Sequence, residues 1–359
     1  MSRDAGKITR LQLCVCEGEV STGAALDAVK ANTGALRRLD LRSTPFFSAL
    51  VEYDWEYLFK EDVDEVLDAA QGLLSFDVDV RVGFGDARTL LARQGRYSVV
   101  RIRRLIVDEC SDEEATQIAA DIRLHPSLQE LCIWDSPIDT PAALDALVDV
   151  VIACGLSGLN FFNSGLGPQL ATHLTRLLRG APRLSTLLIT SDDVLDETST
   201  PILAAALRAS LLTALELYAA GLWENEDEGN MVVDGLVGHP TLEGISLASN
   251  RILFDDPHNT VGACLARLVA ANIPSLHTLS LESCEAGDNT LHPVFAALIS
   301  NTSLRTLCLQ YNDLSAPFAR EVVLPSIRAN SELRKLIVTK YKEDIRELVE
   351  AEALVAARQ

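Results

Sequence analysis

The side chains best suited to chemistry in this chain recur at an interval instead of gathering in one motif. Trp134, Phe162 and Tyr218 stand at positions that differ by 28 and 56, with Thr190 at the intervening place. Glu130, Asn160 and Glu216 lie two or four residues ahead of these rings, and Tyr311 belongs to a later copy of the same frame. Rings beside a few carboxylates form binding hot spots, because aromatic side chains bury large areas at low entropic cost. The alternative is that the rings fold over the ends of their elements and complete the core. Catalytic patterns are not found. Gly83-Phe84-Gly85 lacks the rest of a dinucleotide fingerprint, and no G-x-x-x-x-G-K phosphate loop or nucleophile elbow occurs. Cys14 and Cys16 form a lone C-x-C without matching ligands, so neither metal nor cofactor is expected. His125-Pro126 and His239-Pro240 occupy equivalent places before an extended segment, which marks a repeat position and not a catalytic pair.

The elements that must position these residues are read from Leu304 to Leu314, LRTLCLQYNDL, which has the form L-x-x-L-x-L-x-x-N-x-L. Its first position recurs at Ile8, Leu36, Leu73, Ile102, Leu128, Leu156, Leu184, Leu212, Leu242, Leu276, Leu304 and Leu333. The steps are 28, 37, 29, 26, 28, 28, 28, 30, 34, 28 and 29. Each copy predicts a short strand whose leucines point into a core. Positions three, five and seven then point the other way. Position seven reads Asp79 and Asp108 in copies three and four, then Trp134, Phe162, Thr190 and Tyr218. Between the copies lie helical patterns such as PAALDALVDVVIA. Ser111 with Glu114 predicts a capping box, and Thr140-Pro141 and Thr200-Pro201 predict helix starts. Copy three is the least regular, with Phe76 and Val78 in leucine slots and Arg81 at the turn.

This pattern resembles the leucine-rich repeats, and its length of about 28 residues resembles their ribonuclease-inhibitor-like subfamily. The resemblance covers nearly the whole chain. It implies an α/β leucine-rich-repeat solenoid, a right-handed α/β horseshoe of about twelve repeats. Parallel strands would line its concave face and helices its convex face. It also implies a non-enzymatic protein–protein interaction scaffold or inhibitor-like binder that uses the concave face, with Trp134, Phe162, Tyr218, Glu130, Asn160, Glu216 and Tyr311 as the partner-binding residues. The ribonuclease inhibitors are far richer in cysteine, so their ligand does not carry over. Two alternatives remain open. Ran-type GTPase-activating proteins use the same repeats, but usually with a strongly acidic tail, and no catalytic arginine of that family matches a position here. A structural subunit of a larger assembly, packing through its first repeat, is the other.

Thirty-one basic against 51 acidic residues give a formal charge of −20. That balance argues against nucleic acid or anionic membrane and favours a protein partner with a basic surface. Eight cysteines without a disulfide framework fit a reducing compartment, so a cytoplasmic location is expected, with the nucleus as a second possibility. No signal-peptide core or membrane-length apolar run is present. One domain, 1–359, is expected. An aromatic and acidic insertion at about 45–72 would hold Phe46, Phe47, Tyr53, Trp55, Tyr57 and Phe59, and a capping helix would close the chain at about 342–358. A basic strip of Arg305, Arg334, Lys335 and Lys340 lies near the end.

Overall fold

Each copy of the leucine motif forms a short strand, because two or three alternating apolar side chains can be buried only when a neighbouring copy lies beside them. The computed structural model describes residues 8–15, 21–43, 57–164, 166, 170–190, 198–252, 260–339 and 345–358. They fall into two compact units, Met1–Gly165 and Leu166–Gln359.

The first unit carries β1 (Arg10–Val15), β2 (Arg38–Ser43), β3 (Ser75–Gly83), β4 (Val100–Asp108), β5 (Glu130–Trp134) and β6 (Gly158–Phe162). They pair in chain order and all run parallel. Helices α1 (Thr22–Lys30), α2 (Lys60–Ala69), α3 (Phe84–Ala92), α4 (Asp112–Ile122) and α5 (Pro141–Cys154) alternate with them. In the second unit β7 (Thr186–Thr190), β8 (Ala214–Tyr218), β9 (Gly244–Ser246), β10 (Thr278–Ser280), β11 (Thr306–Cys308) and β12 (Lys335–Ile337) pair in the same parallel manner. Between them run α6 (Leu170–Gly180), α7 (Thr200–Arg208), α8 (Glu226–Leu236), α9 (Thr260–Ala270) and α10 (Asp288–Leu298). Next comes α11 (Ala316–Phe318), which passes through a π-turn into α12 (Leu324–Ala329), and α13 (Arg346–Ala356) follows β12. The architecture is the α/β leucine-rich-repeat solenoid. The motif leucines form its core: Leu131, Leu159, Leu187, Leu215, Leu279 and Leu307 are all essentially inaccessible.

Two devices repeat along the coils. The residue after position seven adopts a left-handed conformation in copy after copy: φ is 50° at Glu109, 47° at Asp135, 46° at Asn163, 47° at Ala219, 57° at Ser249, 55° at Ser283 and 59° at Tyr311. A non-glycine residue adopts this turn at a cost of about 1 kcal/mol or more. The strain is offset because the turn aims its N–H at the next strand's end, as Asp135 N–H does to Phe162 C=O (3.0 Å) and Ser283 N–H to Gln310 C=O (2.9 Å). The second device is the turn side chain. Asn312 Nδ2 donates to Leu281 and Leu309 carbonyls while its Oδ1 accepts from Ala286 N–H, and Asn250 does the same two repeats earlier. Cys284 takes over this role with its thiol, donating to Leu247 C=O at 3.3 Å.

Helix starts follow local chemistry. The Ser111–Glu114 capping box forms as expected, and Thr140 caps α5 with Pro141 at its first position. Thr200 is not a cap. It is the first helical residue, after a Ser199 that makes no side-chain capping bond. Repeat three also departs from its reading. A bulge at Arg103 shifts the β3–β4 register after Val78, so Asp79 pairs with Arg104 at position three, not with Asp108 at position seven. Val80 and Val82 fill the apolar slots opposite Leu105 and Val107. Of the expected insertion, residues 44–56, with Phe46, Phe47, Tyr53 and Trp55, lie outside the described residues.

Candidate binding faces

In the first unit the strand face away from the helices carries a fixed aromatic stack. In-register pairing sets Asp108, Trp134 and Phe162 side by side at position seven. The Trp134 and Phe162 rings stack with centroids 3.9 Å apart and planes 24° from parallel. The shifted register of β3 brings in Arg81, whose guanidinium carbon lies 4.3 Å from the Trp134 ring centre. Asp108 orients that guanidinium, accepting from its Nε at 2.8 and 3.0 Å. Burial nonetheless pushes the Asp108 carboxyl above its ordinary range, outweighing Arg81. Tyr57 closes the group edge-on to Trp134 at 6.2 Å, held by a bridge between Leu58 and Val80 and by Arg81 N–H bonding Leu58 C=O. Trp134 and Phe162 remain half-buried, whereas Tyr57 is buried.

Beneath this stack the face is polar and largely self-satisfied. Arg104, 6% exposed, donates from Nε to Glu130 (2.6 Å) and also faces Asp79. Arg103 pairs with Asp79 and Asp40, and Arg101 with Asp77. Glu130 lies flat over Gly158, where an added Cβ would come within 2.8 Å of its Cγ. Glu130, expected to meet a partner, is thus committed to an internal ion pair. Asn160 was expected on the open surface but is fully buried beside Cys132, with neither amide atom hydrogen-bonded.

In the second unit Glu216 and Tyr218 sit on β8, both half-buried, with Leu188 of β7 and Ser246 of β9 directly beside Glu216. Glu216 has no hydrogen bond or ion pair among the described residues. Burial first, and then the charge of Glu282, push its carboxyl up to about 8. Glu282 follows β10 and accepts from the Cys308 thiol at 3.7 Å. Tyr311 stands apart, in its left-handed turn after β11, with β9 and β10 between it and β8. The basic strip is partly neutralised, since Arg305 and Arg334 both reach Glu332, at 3.0 and 4.0 Å. Lys340 lies outside the described residues.

The repeat frame put Trp134, Phe162 and Glu216 on the strand face, where the structure places them, but did not group Arg81 and Tyr57 with the rings or Ser246 with Glu216. The steps of 37 and 29 around repeat three were the available signal that the register there departs from the template. Position five of the ninth copy already marked Ser246 as facing the same way as Glu216. Among the described residues no group of three or more potential metal ligands occurs, and no helix is long and apolar enough to cross a membrane.

No protein-family model matches the chain, and no curated protein matches it. Solved structures with a similar course include a chain of the Rad7 and Elc1 complex in yeast, 15% identical over 76% of this chain and 79% of that one, with a TM-score of 0.43. A chain of the Toll–Spatzle complex, a molecular hub in Drosophila development and innate immunity, is 15% identical over 74% of this chain but only 31% of its own length, at 0.42. The leucine-rich repeat-containing protein LegL7 from Legionella pneumophila is 12% identical over 98% of both chains, also at 0.42.

Proposed function

We propose that this chain is a non-enzymatic protein-interaction scaffold of the ribonuclease-inhibitor-like kind, which holds a protein partner against the strand faces of its units. The observation that carries this reading is the Arg81–Trp134–Phe162 stack. Two large rings are locked in one geometry by strand register, a guanidinium and an edge-on tyrosine, yet both rings stay half-exposed. Rings ordered in advance lose little further entropy when a partner covers them. A full helix between most strands, 9 to 14 residues long from α1 to α10, supports the subfamily. Free thiols at Cys110, Cys132, Cys154, Cys264, Cys284 and Cys308 support a reducing compartment, the cytoplasm or nucleus.

The test is affinity capture from the native source with wild type and a Trp134→Ala, Phe162→Ala, Tyr218→Ala variant. Loss of hot-spot rings costs about 2 kcal/mol or more each, so the captured partner should drop at least tenfold while far-UV circular dichroism and the melting midpoint stay close to wild type. A variant that unfolds would show instead that the rings belong to the core.

A further inference from the structure

We propose that Glu216, Ser246 and Glu282 form a recessed seat for one cationic side chain, a lysine ammonium or an arginine guanidinium, carried by a protein segment laid across β8 to β10. This deepens the scaffold reading and rests on it for the partner being a protein.

The seat is defined first by what Glu216 and Ser246 lack. Glu216 is a half-buried carboxylate with no hydrogen bond and no ion pair among the described residues. Elsewhere the protein neutralises its strand-face carboxylates. Asp77, Asp79, Asp108 and Glu130 each have an arginine within reach. Around Glu216 the inward positions of β7 to β11 carry no lysine or arginine. Ser246, the residue paired with Glu216 on β9, is 1% exposed, and its hydroxyl oxygen has no hydrogen-bond partner. A buried hydroxyl and an unpaired carboxylate on adjacent strands are two unused acceptors on the same face. Adjacent strands lie about 4.8 Å apart, so one ammonium or guanidinium, rich in N–H donors, can reach both.

The electrostatics agree on the sign of the ligand. Glu282 adds a second negative charge, close enough to oppose ionisation of Glu216. β7 contributes Thr186, Leu188 and Thr190, none of which titrates. Among the described residues, the titratable side chains at the inward positions of β7 to β11 besides Glu216 are Tyr218 on its own strand, Glu282 after β10 and Cys308 on β11. None of these carries positive charge. The whole chain, at −20, draws a basic segment toward it over a longer range. With its carboxyl pushed up to about 8, Glu216 is mostly neutral at pH 7 and ionises when a cation arrives, so seating the cation releases close to one proton.

The experiment uses the full chain and end-blocked tetralysine and tetraarginine peptides as probes, titrated by calorimetry at pH 6.5 and 7.5 in buffers of different ionisation enthalpy. The expected result for wild type is release of close to one proton at pH 6.5 and binding about tenfold tighter at pH 7.5, the linkage of one ionisation below its pKa. Glu216→Gln, which keeps the side-chain shape, should bind at least tenfold more weakly at pH 7.5, with no proton release. Ser246→Ala should weaken binding by a smaller factor and leave the proton release in place. Equal affinity in wild type and Glu216→Gln would overturn the seat, as would binding without proton release. Spermidine binding more tightly than either peptide would also overturn it, in favour of a small polyamine. The scaffold reading fails separately. If the ring variant loses its captured partner while the peptides ignore Glu216, the scaffold stands and the seat does not.

Discussion

Glu216 has a consequence for stability that needs no partner. Its folded-state value of about 8 lies above the ordinary 4.5, so between those values the folded protein keeps a proton that the unfolded chain has lost. Stability from this group is therefore complete below about pH 4.5 and is lost as pH rises through 8. The difference is on the order of 4 kcal/mol. Glu216→Gln has no ionisation to suppress. Urea unfolding should show it level with wild type near pH 4.5 and more stable by a few kcal/mol at pH 8.5. A gap independent of pH would mean that water, not protein, surrounds the carboxyl. The repeat frame already made the direction of this side chain legible, since position five must share a face with positions three and seven. Its isolation was harder to see, because that depends on what the neighbouring copies fail to supply. Arg81 was hidden for the opposite reason. A single bulged residue, Arg103, moves it from a turn slot onto the ring of Trp134.

The turns that lead from each helix into its strand use one position, three residues before the first motif leucine, as a cap. Asn301 and Asn330 each accept two backbone N–H groups there, from Ser303 and Leu304 and from Glu332 and Leu333, at 2.8 to 3.0 Å. His239 fills the same place with Nδ1, accepting from Thr241 and Leu242, while its Nε2 meets Ser210 Oγ. His125 is its counterpart, with Nδ1 3.1 Å from Ser127 Oγ. An imidazole can accept at Nδ1 only while neutral. Burial lowers the pKa of both, His125 to about 4 from 6.5. His125 therefore contributes stability that is complete above pH 6.5 and lost as pH falls toward 4, and the His239 contribution is lost in the same direction. His125→Asn and His239→Asn, which install the residue already used at 301 and 330, should flatten that acid limb by about 2–3 kcal/mol for His125. Unfolding of each variant and wild type at pH 6.5 and 4.5 reads the difference directly, and parallel curves would rule the caps out. The equivalence of these two histidines was legible as a repeat position. The left-handed turns after position seven were not, because Glu109, Asp135, Asn163, Ala219, Ser249, Ser283 and Tyr311 share no residue type. Glu109, Asp135, Ala219, Ser249 and Ser283 share instead a backbone bond to the end of the next strand.

Across the molecule, period and charge were the two properties most openly written in the sequence. The period is why the solenoid was legible: a coil of near-constant length must set like residues side by side, and the strands within each unit do so. It could not reveal which inward carboxylates would find arginines, since the ion pairs of β2 to β5 depend on the local shift in register. Charge leads to the last prediction. At −20 the folded protein gathers like charge that the unfolded chain spreads out, and salt screens this self-repulsion over a distance of about 10 Å at 0.1 M. Salt also weakens exposed pairs such as Arg251–Glu285 and Arg328–Glu350, but each is worth only about 0–1 kcal/mol. The enclosed Arg103–Asp79 and Arg104–Glu130 pairs are screened far less. Relief of repulsion should therefore win. The thermal midpoint at pH 7.5 should rise by several degrees between 0.02 and 0.5 M sodium chloride, while binding of the tetralysine probe weakens over the same range. A midpoint that falls with salt would show that paired charges, not the net excess, set the electrostatic balance of the fold.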